Sequence, residues 1–240
     1  MKRVLIVSLC TMVLCLSGLY SMAEADKPGV GVLRFTNNTS AGWWGGSAGR
    51  DLQDMLAAEL VSTGKFQVLE RKELDAVLGE QNLGASGRIS PKSKAAMGKI
   101  KGARYLVSAT VSAYQEETSG TGGGIGFGGV RVGGKKESAY LAVDLKIIDT
   151  TTAEIVDART VEGTSSSRGL SLGLSKGGFS GDMSNYEKTP AGRAIRACII
   201  EISDYLSCSM IEGKNASCMQ DFNAKESRRK EKTKKAIKLD

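Results

Sequence analysis

Residues 140–161, YLAVDLKIIDTTTAEIVDARTV, decide the fold. Residues 140–148 have the two-residue period of a β-strand with one buried face. The apolar positions of that face are Leu141, Val143, Leu145 and Ile147. The polar residues 149–153 predict a turn, and residues 154–161 predict a returning strand. The stretch therefore predicts two neighbouring strands of a sheet, joined by a tight turn.

The residues on either side predict the remaining elements of the same sheet and its cover. The expected further strands are residues 30–35, 66–69 and 105–114. The expected helices are residues 48–61, 71–81, 91–101 and 189–206. Ser90-Pro91 and Thr189-Pro190 each combine a capping hydroxyl with a proline at the first helical position. The order β-α-β-α-α-β-β-β-α predicts one α/β domain in which helices cover a sheet.

Two of the expected helices carry an apolar stripe at helical spacing, which predicts the face that packs on the sheet. In helix 71–81 the stripe is Leu74, Val77 and Leu78. In helix 189–206 it is Ile195, Cys198, Ile199, Ile202 and Leu206.

The first 25 residues predict export. Lys2 and Arg3 precede an apolar run, residues 4–16, that is too short to cross a bilayer as a stable helix. The small residues near position 25 suit signal peptidase, so residues 1–25 are predicted to be a signal peptide. One alternative is an anchor helix that is never cleaved. Another is a lipoprotein, although the bulky Leu14 before Cys15 does not suit lipidation.

The formal charge of +7 invites a nucleic-acid partner, but its distribution argues against one. Without the first 25 residues the charge is +6, and residues 225–240 carry +5 of it, so the folded part is near +1. A run of like charges is typical of a solvated, disordered tail. The alternative is contact with anionic lipid or lipopolysaccharide. No nucleic-acid partner is predicted.

Histidine and cysteine usage excludes several kinds of site. The chain contains no histidine, which removes His-based triads, His general bases and the usual zinc ligand sets. In an oxidising compartment Cys208 and Cys218 could close a loop under the last helix, whereas Cys198 falls on an apolar helix face. Residues 124–129 match G-x-G-x-x-G, but β-like residues follow where a dinucleotide site needs a helix. No enzyme activity, metal or cofactor is predicted.

Two segments are longer than the connections of a compact domain. Residues 115–138 separate two predicted strands, and residues 162–188 separate the last strand from the last helix. Connections beyond about 15 residues are usually functional or disordered.

Both segments alternate apolar residues with small or polar ones, which is the pattern of a transmembrane β-barrel strand. The predicted membrane-facing residues are Ile125, Phe127, Leu170, Leu172 and Leu174. Each segment has room for two strands of about 10 residues and a turn, so each is predicted to be one membrane hairpin. The alternative is a pair of flexible, glycine-rich surface loops.

Five stretches carry a family resemblance, and they are GVLRF (31–35), ELVSTGKFQVLERKELDAVLGEQNL (59–83), KGARYLV (101–107), AVDLKIID (142–149) and AEIV (153–156). In this order and spacing they resemble the CsgG family, the outer-membrane secretion channel proteins of curli assembly. The resemblance covers residues 29–206, and KFQVLER followed by KGARYLV is its most specific part. It identifies residues 26–210 as a CsgG-like domain and leaves residues 211–240 as a C-terminal extension with a basic tail.

The resemblance implies a small periplasmic α/β domain whose copies form a homo-oligomeric ring at the outer membrane. Each copy of such a ring contributes two β-hairpins to one shared barrel, and the resemblance places them on residues 115–138 and 162–188. Closure of the barrel removes the unpaired strand edges that lipid would not tolerate. An unfolded secreted protein and accessory secretion factors are the implied partners.

In the same family a loop between the first strand and the first helix narrows the channel. Here that loop is residues 36–47, and Trp43 and Trp44 lie where the constriction would be. A ring of tryptophans would form an apolar collar that passes an unfolded chain and stops a folded protein. The alternative is that both side chains pack on their own domain.

Two functions follow from the two long segments and the family resemblance taken together. The first is a subunit of an oligomeric outer-membrane pore that secretes unfolded curli-like protein subunits. The alternative is a soluble periplasmic interaction module without a pore, similar to the domain that activates peptidoglycan synthases or to the N-terminal part of TolB. The lack of a convincing lipidation motif and the shortness of the second segment favour this alternative.

Overall fold

The long strand β6 (Val130–Asp149) organises the sheet. It pairs antiparallel with β4 (Tyr105–Gly120) on one side and with β7 (Ile155–Ser171) on the other. The side chains of its inner face are each only 1% exposed, and they are Leu141, Val143, Leu145 and Ile147. The alternation predicted for this strand is therefore confirmed.

The computed structural model describes residues 27–120, 125–127, 130–171 and 189–237. Within them the other strands are β1 (Gly29–Val32), β2 (Thr36–Asn37), β3 (Gln67–Val68) and β5 (Ile125–Phe127). The helices are α1 (Ala48–Thr63), α2 (Leu74–Ala85), α3 (Pro190–Ser207) and α4 (Cys218–Ala236). A π-helical turn, Cys208–Glu212, continues α3. The predicted signal peptide lies outside the described residues.

The strands lie side by side in the order β3-β1-β4-β6-β7. β1 is parallel to both β3 and β4, and β2 is parallel to β4 further along. β5 pairs antiparallel with the start of β6. The parallel pairs are joined through helical crossovers, as chain geometry requires, whereas β6 and β7 follow each other through a short turn. The predicted mixed α/β fold is confirmed.

Helices α1 and α3 pack on the same face of the sheet and on each other. The stripe predicted for α3 is buried throughout, at 4% exposure or less for Ile195, Cys198, Ile199, Ile202 and Leu206. The start of α3 is also as predicted, because Thr189 Oγ1 accepts a hydrogen bond from the Gly192 amide at 3.0 Å. This helix supplies most of the cover for β6 and β7.

Two helix predictions in the middle of the chain need correction. The stretch after Ser90-Pro91 forms turns instead of a helix, and residues 91–102 are exposed. With no apolar face packed against the domain, the cap and proline alone do not sustain a helix. Helix α2 does form, but its predicted inner residues Val77 and Leu78 remain 39% and 42% exposed. The residues it buries instead are Gln81 and Gly84.

The prediction of a disordered basic tail is wrong for residues 225–236, which belong to α4. Ion pairs one helical turn apart stabilise this helix, with Glu226 bonded to Arg229 at 2.7 Å and to Lys230 at 3.1 Å. Met219, only 4% exposed, holds its first turn to the core. A disulfide joins Cys208 to Cys218, the pairing that the sequence suggested. No helix of the described residues is long and apolar enough to cross a membrane.

Candidate functional site: the extended strands and their base

Three strands continue past the helical layer. Ser165 Oγ donates a hydrogen bond to the Pro190 carbonyl at 2.5 Å, so α3 begins beside this residue of β7. Beyond it, the pairing of β6 with its two neighbours continues to Gly120 of β4 and Ser171 of β7. We call residues 115–120, 133–140 and 164–171 the stem. Each predicted hairpin segment thus begins as a direct continuation of the sheet.

Charged residues of opposite sign occupy different rows of the stem. A row here is a set of residues that pair with one another across β4, β6 and β7. Counted outward from the domain, the acidic rows of the stem come first, and they contain Glu116, Glu117 and Glu137. The next rows contain Lys135, Lys136 and Arg168, which we call the basic rows. Leu170, opposite Gly134, comes one row further out. The order is therefore acidic, basic and then apolar, and the first apolar residue of the second segment follows the basic rows directly.

The backbone is described for three of the five predicted membrane-facing residues. Ile125 pairs with Val132 and Phe127 pairs with Val130, so both belong to a strand. Leu170 is also in a strand. Leu172 and Leu174 lie outside the described residues. The contact of all five with lipid stays a prediction.

Helix α4 runs along the outer edge of β7. Arg159 of β7 donates to Asn223 Oδ1 at 2.7 Å, and the Phe222 ring packs edge-on against Tyr205 at 5.3 Å. Further along the helix, Lys225 pairs with Glu201 of α3. The helix is thereby joined through side chains to the edge strand of the sheet and to α3.

The same helix ends near the base of the stem. Arg159 and Asn223 are in contact, so they mark one level on the two elements. From Asn223 to Ala236 a helix rises about 20 Å, and from Arg159 a strand covers about 20 Å by Ser165. The C-terminal end of α4 is therefore at about the level at which the stem begins.

A polar cluster connects α4 to the sheet at this level. Tyr140 Oη donates to Glu162 Oε1 at 2.8 Å, across neighbouring strands. Burial, together with this hydrogen bond, raises the pKa of the Tyr140 phenol, which therefore stays neutral. Arg229 lines the adjacent cleft beside Glu162, and its hydrogen bond lowers the pKa of Glu226. The hydrogen bonds of this cluster thus tie Tyr140 to Glu162 and Arg229 to Glu226.

The two tryptophans lie at the base of the stem and differ in exposure. Trp43 is only 8% exposed, and its ring contacts Tyr114, the residue before the stem, at 5.7 Å. Trp44 packs edge-on against Trp43 at 5.6 Å and is half-buried. Asn37 Oδ1 accepts hydrogen bonds from the amide and hydroxyl of Thr39, which shapes the start of this loop. The structure thus brings the predicted constriction loop and the stem together.

The cysteines of the described residues offer little reactivity. Cys198 is 1% exposed, and burial raises the pKa of its thiol. A buried neutral thiol is a poor nucleophile. Cys208 and Cys218 are joined to each other. Among the described residues no group of three or more Cys, Asp or Glu side chains is placed to hold a metal ion.

Sequence reasoning missed the contact between α4 and the base of the stem. Met219, Phe222 and Glu226 recur at helical spacing on the side of α4 that packs on the domain, within a stretch that is otherwise mostly charged. That spacing was the available signal for a docked helix.

A family model described as curli production assembly/transport component CsgG matches residues 17–237. No curated protein sequence matches the chain.

Several solved structures are similar to this chain. One is the hypothetical protein CT253 from Chlamydia trachomatis, with 14% identity and a TM-score of 0.44, covering 78% of this chain and 100% of that chain. Another is the PelC dodecamer from Paraburkholderia phytofirmans, with 15% identity and a TM-score of 0.33, covering 73% and 86%. Lipoprotein GNA1162 from Neisseria meningitidis has 14% identity and a TM-score of 0.32, covering 58% and 84%. At TM-scores under 0.5 these likenesses carry no conclusion about function.

Proposed function

The chain belongs to the CsgG family of curli production assembly/transport components, and on that premise we propose that it is an exported subunit of an oligomeric outer-membrane pore. The pore secretes unfolded, curli-like protein subunits, with accessory secretion factors as further partners. The chain itself performs no catalysis, and its task is to form a selective passage. It resides at the periplasmic face of the outer membrane, with its hairpins in the bilayer.

The observation that carries this proposal is the stem. Strands β4, β6 and β7 leave the helical layer as one antiparallel group and extend the pairing to Gly120 and Ser171. The outer part of β6, residues 130–140, has roughly the length of a transmembrane β-strand, which is 9–11 residues. Copies arranged in a ring can pair these strands edge to edge, and closure then leaves no free edge in the lipid.

Exposed apolar side chains on α2 support a homo-oligomer. Val77 and Leu78, neighbours on a helix of 12 residues, are 39% and 42% exposed. Apolar side chains exposed side by side on a folded domain are a common feature of protein contacts. We assign this face of α2 to the neighbouring copy in the ring.

The tryptophan loop is proposed to narrow the passage. It lies at the base of the stem, and a shared barrel would place that base at the periplasmic mouth of the channel. Trp43 is part of the core, so the apolar collar consists of the exposed part of Trp44 from each copy. This refines the expectation that both rings form the constriction.

One observation fits the alternative of a soluble periplasmic module as well as it fits the pore. The stem begins with Gln115, Glu116 and Glu117, all exposed and polar, instead of with apolar residues. A polar stem suits an arm that binds another periplasmic protein as well as it suits the passage from domain to membrane. Apolar alternation begins only beyond the basic rows.

Assembly and conductance separate the two functions. For a pore, the chain extracted from outer membranes in detergent forms a large ring and conducts ions in a planar bilayer. For the alternative, it fractionates with the periplasm as a monodisperse soluble species and conducts nothing. That second result would exclude the pore.

A further inference from the structure

Helix α4 carries positive charge that its own domain does not neutralise. Lys225, Arg229, Lys230 and Lys235 form ion pairs with acidic side chains. Arg228, Lys232 and Lys234 form none with any other described residue, and all three are exposed. Charges without a partner on the same molecule are available for an external one.

These charges lie on the membrane side of the domain. The last turn of α4 is about level with Ser165, and the basic rows of the stem come next in the same direction. Leu170, the first apolar residue, is five rows beyond Ser165, or about 17 Å along the strand. A headgroup layer of roughly 6 Å leaves about one Debye length between the end of the helix and the lipid phosphates. Lys232 and Lys234 lie within about 6 Å of that end of the helix, and Arg228 lies about 12 Å from it.

We infer that the exposed basic residues of α4 dock on the anionic phospholipid headgroups of the leaflet that the hairpins enter. The inference rests on the proposed pore function for the direction of the membrane. Charge complementarity supports it, because the acidic rows of the stem are nearer the domain than the basic rows. A basic residue close to an anionic membrane strengthens binding about fivefold.

Vesicle binding by the full exported chain tests this inference. The vesicles contain either phosphatidylglycerol mixed with phosphatidylcholine or phosphatidylcholine alone. The test variant is Arg228→Gln/Lys232→Gln/Lys234→Gln, which breaks no ion pair among the described residues. The matched control is Lys92→Gln/Lys94→Gln/Lys99→Gln, which removes three exposed lysines from the segment before β4, at the other end of the sheet.

The wild type and the control are expected to bind the anionic vesicles more tightly than the neutral ones, with a preference that weakens as salt rises. The test variant is expected to lose severalfold in affinity for the anionic vesicles only, because the contribution of each basic residue falls off within about one Debye length of the surface. The charge-conserving variant Arg228→Lys/Lys232→Arg should bind like the wild type. Equal loss in test and control variants, or none in either, overturns the inference.

Conductance measurements test the proposed pore independently of the proposed docking surface. Rings inserted from detergent into neutral bilayers report on the pore without any need for headgroup charge. If they conduct while the test variant binds anionic vesicles like the wild type, the docking surface is wrong and the pore stands. If nothing conducts but the test variant alone loses binding, the pore is wrong and the docking surface stands. Tighter binding to vesicles of lipopolysaccharide than to phosphatidylglycerol would overturn the phospholipid assignment.

Discussion

Among single residues, the two neighbouring tryptophans have different environments and therefore different expected roles. Trp43 fills the core beside Tyr114, whereas Trp44 is half-buried at the base of the stem. Trp44→Ala should raise the single-channel conductance and lower the free energy of unfolding by less than Trp43→Ala does, because the Trp44 ring is only half-buried. Trp43→Ala should instead lower the free energy of unfolding by about 3–5 kcal/mol. Unchanged conductance in the Trp44 variant would rule out the collar.

The contacts of Asp149 make the free energy of unfolding depend on pH. Its Oδ1 accepts the Thr151 amide at 2.8 Å, and its Oδ2 bonds to Arg104 Nη2 at 2.8 Å. The Thr151 amide first, and the Arg104 guanidinium after it, hold the pKa of this carboxyl below its usual value in the folded state. A lowered folded pKa means that the ionised carboxyl stabilises the fold at every pH above the unfolded value of about 3.9.

The stabilisation by Asp149 is therefore expected to disappear as the pH falls from about 4 through the lower folded pKa. Asp149→Asn should reduce stability at neutral pH and flatten the acid limb of a plot of unfolding free energy against pH. Denaturant melts between neutral and acidic pH measure this. The exposed Asp204→Asn is the matched control. An acid limb as steep in the Asp149 variant as in the control contradicts the assignment.

Among the elements, the crossing of α3 over β7 depends on one glycine. A Cβ atom at Gly163 would overlap the Ala194 carbonyl oxygen and approach the Cys198 Cβ within 2.7 Å. Gly163→Ala should therefore cost about 1–3 kcal/mol of unfolding free energy as an overpacked contact. Gly79→Ala is the matched control, because nothing lies within 4 Å of its added Cβ, and alanine favours the helix there by up to about 1 kcal/mol. Equal unfolding midpoints in the two variants would contradict the close crossing.

The elements that the sequence predicted well are those whose pattern is set by the core. Helix α3 and strand β6 each place apolar residues at their own period, because one face is buried along the length. Residues 91–101 carry a cap and a proline but no buried face, and local signals without packing do not make a helix. For α4 the sequence predicted disorder, and the structure has a helix. Its composition is that of a solvated tail, and the contacts of Phe222 with Tyr205 and of Asn223 with Arg159 are tertiary.

In the candidate site, too, features set by neighbouring residues could be predicted from the sequence, and features set by tertiary contacts could not. The sequence predicted two long segments at the ends of neighbouring strands, and the described part of each segment begins as a strand of the sheet. The hairpins themselves stay a prediction. The sequence could not show that Trp43 belongs to the core and Trp44 to its surface, since that depends on Tyr114, which is distant in the chain. The position of α4 relative to the stem likewise depends on how the helix packs on β7.

At the scale of the whole molecule, the domain is expected to be separable from residues 118–137 and 167–188, which we call the first and the second arm. Glu117 and Ser138 pair directly across β4 and β6, so the first arm begins and ends at one place. Ser165 bonds to the Pro190 carbonyl at 2.5 Å, so the second arm also begins and ends at one place. The core and the helical layer lie on the domain side of both points. The fold should therefore not need the arms.

A variant without arms tests that separation. An Asn-Gly turn replaces residues 118–137, because a two-residue turn closes directly paired strands, and a short Gly/Ser linker replaces residues 167–188. The variant should be soluble without detergent and unfold in one cooperative transition near that of the wild-type domain, yet give no conductance. Conductance is the deciding measurement, because α4 is expected to keep some affinity for anionic membranes. A variant without arms that still conducts would show that the passage is not made by the hairpins.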